Sequence, residues 1–181
     1  GSTTISAVVG SFTGYFSGWL DKVVLWVIDL LLVLPAFLII AIVVNNTGSA
    51  GGGIALLIVL LAGLGWMLSA RVVRSLTQSV RDREYITAAK YMGVSGPRIV
   101  FRHIIPNISS LLIIDATLAI GAAVLAETGL SFFGFGIRPP NVSLGSLIGD
   151  GSRQASTFPW IFYAGAVPLV WLILAINFIG D

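Results

Sequence analysis

The sequence predicts an all-α membrane protein, a polytopic helical bundle, and two observations carry that prediction. Hydrophobic residues make up 56% of the 181 residues and charged residues 10%, whereas a soluble domain carries about 25% charged residues. Four long apolar runs can be drawn, residues 23–44, 54–70, 108–126 and 160–179. A helix rising about 1.5 Å per residue needs roughly 20 residues to cross a hydrocarbon core of about 30 Å. Runs of this length without alternation exclude barrel strands, and in lipid only helices or closed barrels satisfy the backbone.

Residues 1–14 read as the tail of a fifth span. The chain has no start methionine and no signal-peptide pattern, so it is expected to be a segment of a longer protein forming a single transmembrane domain over residues 1–181. Tyr15 to Lys22 and the turn "NNTGSAGGG" join the first spans. Pro35, Pro106 and Pro168 are expected kinks, because neighbouring helices can satisfy the carbonyls that proline frees. Gly63 and Gly65, beside Trp66, are expected to let helices approach closely. There is no cysteine, which excludes disulfides and thiolate metal sites.

The polar segment after the second run holds seven of the ten Lys and Arg residues: Arg71, Arg74, Arg81, Arg83, Lys90, Arg98 and Arg102. Cation excess places such a loop on the cytoplasmic side, which puts residues 127–159 outside. Within it, Asp82 can cap a short helix running to Met92, with Gly93 in the left-handed position that ends it. About ten residues extend about 15 Å, too short to span a membrane and marginal alone in water. That helix must pack on something. Tyr85, Ala88, Ala89 and Met92 fall at i, i+3, i+4 and i+7 and build one face. Ser95-Gly96-Pro97 then opens a new helix.

Two acids lie inside spans. Asp29 and Asp115 each cost about 2.5–3.5 kcal/mol on insertion scales, so each is expected to face the bundle, a partner helix or a watery path. His103 has no Cys, Asp or Glu at metal-ligand spacing, and no catalytic, cofactor-binding or metal site is expected. Without G-x-x-x-x-G-K-[ST] the chain has no phosphate cradle, and "GSAGGG" and "GFGIRPP" read as turns. The N-x-[ST] matches at Asn45, Asn107 and Asn141 are accidental on this reading. Residues 127–159 read as a long outer segment in which Phe132, Phe133 and Phe135 precede Arg138. They form either an interfacial aromatic belt or the lid of a pathway.

"TAAKYMG", nine residues and then "HIIP" resemble the EAA motif of ABC-importer permeases. Thr87, Ala88, Ala89, Gly93, Ile105 and Pro106 fall on its positions. Thr87 stands where the namesake glutamate is usual, and His103 where isoleucine is usual. "ETGLSFFGFGIRPPNVSLG" is similar to the outer segment of the peptide-transport branch (dipeptide, oligopeptide and nickel importers) in its C-type subunit, with Leu144 where tryptophan is common. "GYFSGWLDKVVLWVIDLLLVLP" and the terminal "NFIGD" extend the resemblance nearly end to end.

The resemblance implies a type I importer permease in a bacterial or archaeal plasma membrane. It implies a second permease subunit as heterodimer partner and a cytoplasmic ATPase that carries ATP and Mg. It also implies an extracytoplasmic substrate-binding protein; nucleic acid is not an expected partner. The coupling helix would comprise Tyr85, Thr87, Ala88, Ala89, Met92 and Gly93. The gate or docking surface would be Phe132, Phe133, Phe135 and Arg138; from the residues alone, Asp29 and Asp115 are either pathway groups or intramembrane polar groups bonded between helices. The competing reading is a self-contained channel or ion-driven secondary transporter, which would need interrupted helix repeats or a charged pore ring. A membrane enzyme fails for want of a nucleophile-base pair.

Overall fold

The structure, a computed structural model, describes residues 1–46, 53–137 and 141–180. Among the described residues there are helices and no strands: α1 Ser2–Phe16, α2 Trp19–Val33, α3 Ala36–Asn46, α4 Gly53–Arg81, α5 Glu84–Tyr91, α6 Gly96–Ile99, a π turn Val100–Ile104, α7 Ile105–Asn107, α8 Ser109–Phe132, α9 Leu144–Arg153 and α10 Pro159–Gly180. Three are long and apolar enough to cross a membrane, Ile54–Arg81, Ser109–Phe132 and Pro159–Gly180. The broken pair α2 and α3 supplies a fourth if it forms one crossing.

The expected span boundaries move in three places. Residues 23–44 are not one kinked helix: Leu34 is extended at ψ 124° and the helix stops before Pro35. Proline disfavours helical geometry in the residue before it, which accounts for the break. α4 continues through Arg81, so the first third of the basic segment is helix rather than loop. α8 runs to Phe132, and residues 144–153 form α9, capped by Ser143 and Ser146 in a reciprocal capping box. Among the described residues, about half of the segment 127–159 is therefore helical.

The chain divides into two compact units, residues 1–34 with 64–116 and residues 35–63 with 117–181. In the first, α1 lies against α4 through small residues. A Cβ at Gly10 would sit 2.6 Å from the Ala70 carbonyl oxygen, and one at Gly14 would sit 2.7 Å from that of Arg74. This G-x-x-x-G spacing lets two backbones meet, as in membrane helix pairs generally. Ser17 (φ 50°) and Gly18 (φ 86°) turn the chain from α1 into α2. The core of this unit joins Val73 and Val80 of α4, Ile86 and Ala89 of α5, and Ile99, Val100, Ile104 and Ile108 beyond. A smaller core packs Ile28 of α2 on Met67 and Ala70 of α4.

The π turn has a local cause. Pro106 has no N–H, so the Arg102 carbonyl loses its ordinary i+4 donor, and Ile105 N–H instead reaches back five residues to the Val100 carbonyl.

In the second unit α9 is held by glycine. A Cβ at Gly145 would meet the Thr128 carbonyl oxygen of α8 at 2.5 Å, and one at Gly151 the Phe162 nitrogen of α10 at 2.5 Å. Gly165 of α10 in turn accommodates Ile148. Gly63 and Gly65 do not behave as expected: a Cβ at either meets nothing within 4 Å. They face outward from α4, so close packing within the chain does not explain them.

Candidate functional site

The polar segment forms a compact helical hairpin. α5 starts at Arg83, whose side chain caps nothing, rather than at Asp82; Asp82 instead lies 3.4 Å from Arg81. Its end is as expected. Gly93 has φ 77°, Gly93 N–H donates to the Lys90 carbonyl, and Val94 N–H donates to the Ala89 carbonyl. These are the two bonds of a Schellman cap, and only glycine takes that backbone setting without strain. Val94 packs on the same core as Ala89, which supplies the hydrophobic contact that accompanies such caps. Ser95 then precedes α6, with Pro97 in its first turn.

The expected face of α5 is split. Ala89 is 2% exposed and Ile86 0%, both inside the chain's own core, because the helix must cover Val73, Val80 and Ile99 to be ordered at all. Tyr85, Ala88, Tyr91 and Met92 remain exposed, with Thr87 half-buried. Tyr91 at 89% and Met92 at 76% leave an aromatic ring and a thioether uncovered. The periodicity placed Ala89 outward because i+4 lies only about 40° from i on a helix; the neighbouring Ile86 shows which side is in.

The hairpin rests on the end of α1. A Cβ at Gly96 would sit 2.9 Å from the Phe16 ring. Phe12 meets Phe101 edge-on with centroids 5.6 Å apart. The Lys90 ammonium lies 5.2 Å over the Tyr15 ring, a cation–π contact.

The basic cluster separates into two sets. Arg74 forks onto Asp21 of α2, with Nε donating to Oδ1 at 2.5 Å and Nη2 to Oδ2 at 2.6 Å. Arg71 pairs with Asp29. Arg81 donates to Ser17 Oγ and, at 3.4 Å, to the Gly14 carbonyl. Arg83, Arg98 and Arg102 are exposed. Asp29 thus lies in a helix-to-helix ion pair. Asp115 accepts from Ser69 Oγ of α4 at 3.0 Å, and its other oxygen is buried without a partner.

At the far end of α8, Ser131 Oγ donates to Glu127 at 2.5 Å and accepts from Ile137 N–H at 3.0 Å. Gly134 (φ 83°) and Phe135 close a second Schellman cap onto Ser131 and Leu130. Phe133, 64% exposed, meets both Phe132 and Phe37 of α3 edge-on, with centroids 5.3 and 5.8 Å away. Phe135 is half-buried and shares no ring contact among the described residues. Arg138 lies outside the described residues.

Sequence reasoning passed over Gly10, Gly14, Asp21 and the pairing of Arg71 and Arg74. The glycines had a readable signal in "GSFTG". The ion pairs had only an acid on one helix and cations on another, with no spacing rule to join them. Among the described residues no group of three or more His, Cys, Asp or Glu is arranged to hold a metal ion.

The sequence pattern of the family described as binding-protein-dependent transport system inner membrane component matches residues 6–181. The oligopeptide transport system permease protein OppC of Mycobacterium tuberculosis is 55% identical over 180 residues, which are 99% of this chain and 62% of that protein. A putative peptide permease protein of Brucella ovis is 35% identical, covering 99% of this chain and 59% of the relative. The OppC of Haemophilus influenzae is 33% identical, covering 99% and 57%. The chain therefore spans about three-fifths of the length of the relatives it matches.

Proposed function

The chain belongs to the family of binding-protein-dependent transport-system inner membrane components, and from that premise we propose that the full-length protein is a permease subunit of an ATP-driven importer of peptides. The observation that carries this reading is identity of 33–55% to oligopeptide permease proteins along 99% of the chain. In this role the protein forms half of the translocation pathway with a second, related permease. It performs no hydrolysis. ATP and Mg are held by a cytoplasmic ATPase, and cargo is delivered by a binding protein on the outer side of a bacterial plasma membrane.

The α5 hairpin is the docking element for the ATPase. Its exposed Tyr85, Ala88, Tyr91 and Met92 present apolar surface on a short helix whose other side is anchored in Ile86 and Ala89. Closure of the ATPase then moves the attached helices as rigid bodies, a recurrent mode of switching. In the same reading Phe132 and Phe133 with Phe37 cover the pathway's outer mouth, and Asp115 supplies a polar group to the pathway.

Co-purification of the full-length chain from membranes, followed by peptide uptake into proteoliposomes, tests this. A P-loop ATPase in the complex and uptake that requires internal ATP are the expected results. Peptide accumulation driven by an ion gradient without nucleotide would replace this reading with a secondary transporter.

A further inference from the structure

We propose that Arg71, Arg74 and Arg81 form a rack on α4 that fastens α1 and α2 to it in one register, with Arg74–Asp21 as the positioning contact for transmission of the stroke received at α5. The inference rests on the docking role proposed for α5. Three and ten residues beyond Arg71, the other two arginines fall within about 80° of it at about 100° per residue. All three therefore project from one side of α4. Each has a partner on a preceding helix: Asp29 and Asp21 on α2, and Ser17 with the Gly14 carbonyl at the end of α1. Val73 and Val80 of the same helix end in the core that holds α5 and α6. The last turns of α4 thus join the docking hairpin to both preceding helices.

The contact of α2 with α4 at Ile28, Met67 and Ala70 is apolar packing, which is non-directional, and Gly10 and Gly14 of α1 seat against Val73 and Thr77 of α4. A guanidinium fork on a carboxylate does have one geometry, two parallel N–H···O bonds. Burial ranks the rungs. The Arg74 and Asp21 side chains are 23% and 9% exposed, whereas those of Arg71 and Asp29 are 42% and 58% exposed. The inner rung is the more covered by the chain's own atoms, so losing one of its partners costs more than losing one of the outer rung's. Three members of the basic cluster are in this way committed to internal contacts.

The test uses the complete complex in proteoliposomes and compares peptide uptake with ATP hydrolysed. Asp29→Asn should stay within about twofold of wild type. Asp21→Asn and Arg74→Gln should retain the ATPase subunit yet lose about tenfold or more in peptide moved per ATP. Asp21→Arg with Arg74→Asp should recover part of that ratio by restoring the pair. Because a lone buried charge can prevent folding, Asp21→Leu with Arg74→Met removes both charges while keeping volume. It should assemble and remain uncoupled.

Wild-type transport per ATP in this neutral pair overturns the proposal, as does an equal loss in Asp29→Asn and Asp21→Asn. If the wild-type complex shows no ATP-dependent uptake, the importer reading fails instead. Spin labels at the exposed Val27 and Val72 then examine the rack alone. A spacing that broadens in the neutral pair supports it, and an unchanged narrow spacing refutes it.

Discussion

A methyl group added at Gly10 tests whether α1 is held to α4 by backbone contact. In Gly10→Ala the new Cβ would lie 2.6 Å from the Ala70 carbonyl oxygen and 2.8 Å from the Val73 Cβ. Carbon contacts settle at about 3.5–4.0 Å, so α1 must retreat by about 1 Å. Overpacking costs about 1–3 kcal/mol. Here the obstacles are a main-chain oxygen and the stem of a β-branched side chain, neither of which can rotate aside, so the cost belongs in the upper half of that range. Alanine returns up to about 1 kcal/mol in helix propensity, leaving a net loss of about 1–2 kcal/mol.

Gly63→Ala is the matched control, because its Cβ meets nothing within 4 Å and only the propensity gain of up to about 1 kcal/mol applies. The two substitutions should therefore differ by about 2–3 kcal/mol. Unfolding of the purified chain in detergent, followed through its five tryptophans, reads the difference. Gly10→Ala with Gly14→Ala should cost less than the sum of the two singles, since the first methyl already separates the helices. Equal midpoints for Gly10→Ala and Gly63→Ala would refute backbone contact at this interface.

Ala88 and Ala89 should part company. Ala88→Arg should leave the chain folded and release the ATPase in a pull-down, whereas Ala89→Glu, placing a charge among Ile86, Val80 and Ile99, should cost about 3–5 kcal/mol and lower the yield of folded chain. Gly93→Val should be destabilised by about 1–2 kcal/mol, and Gly93→Asn by less, because φ 77° is strained for a β-branched residue; midpoints in the same unfolding assay check the order. Cysteines replacing Ser95 and Asn141, both exposed, should label from outside intact cells only at position 141; labelling at position 95 alone inverts the topology. Asn141 is preferred to Ser143 as the outer site because Ser143 caps α9.

How far the sequence could be read depends on the range of the interaction concerned. Local rules located the short helix and its Gly93 cap, since a left-handed residue and a terminating carbonyl pair involve neighbours only. Hydrophobic runs located the spans, although composition could not say where helix ends and polar loop begins; Arg71, Arg74 and Arg81 look like loop cations and stand on α4. Burial of Ala89 rather than Ala88 depends on which helix covers which, and only the fold decides that. The pairing of Arg74 with Asp21 crosses 53 positions, beyond any spacing rule. Aromatic clustering at Phe132 and Phe133 was legible as adjacency, but the third ring came from Phe37 of a different helix.

The π turn before Pro106 makes chain length there a more sensitive variable than side-chain identity. A π turn can be read as one residue inserted into an α-helix. Deleting a residue between positions 100 and 104 would remove that extra residue while leaving Pro106, whose ring clashes with the carbonyl four residues earlier in a tighter α turn. Single-residue deletions in this stretch should then do more harm than most substitutions within it. Across natural variants, gaps should be rare here while residue types drift. A deletion scan through the turn would display that asymmetry directly.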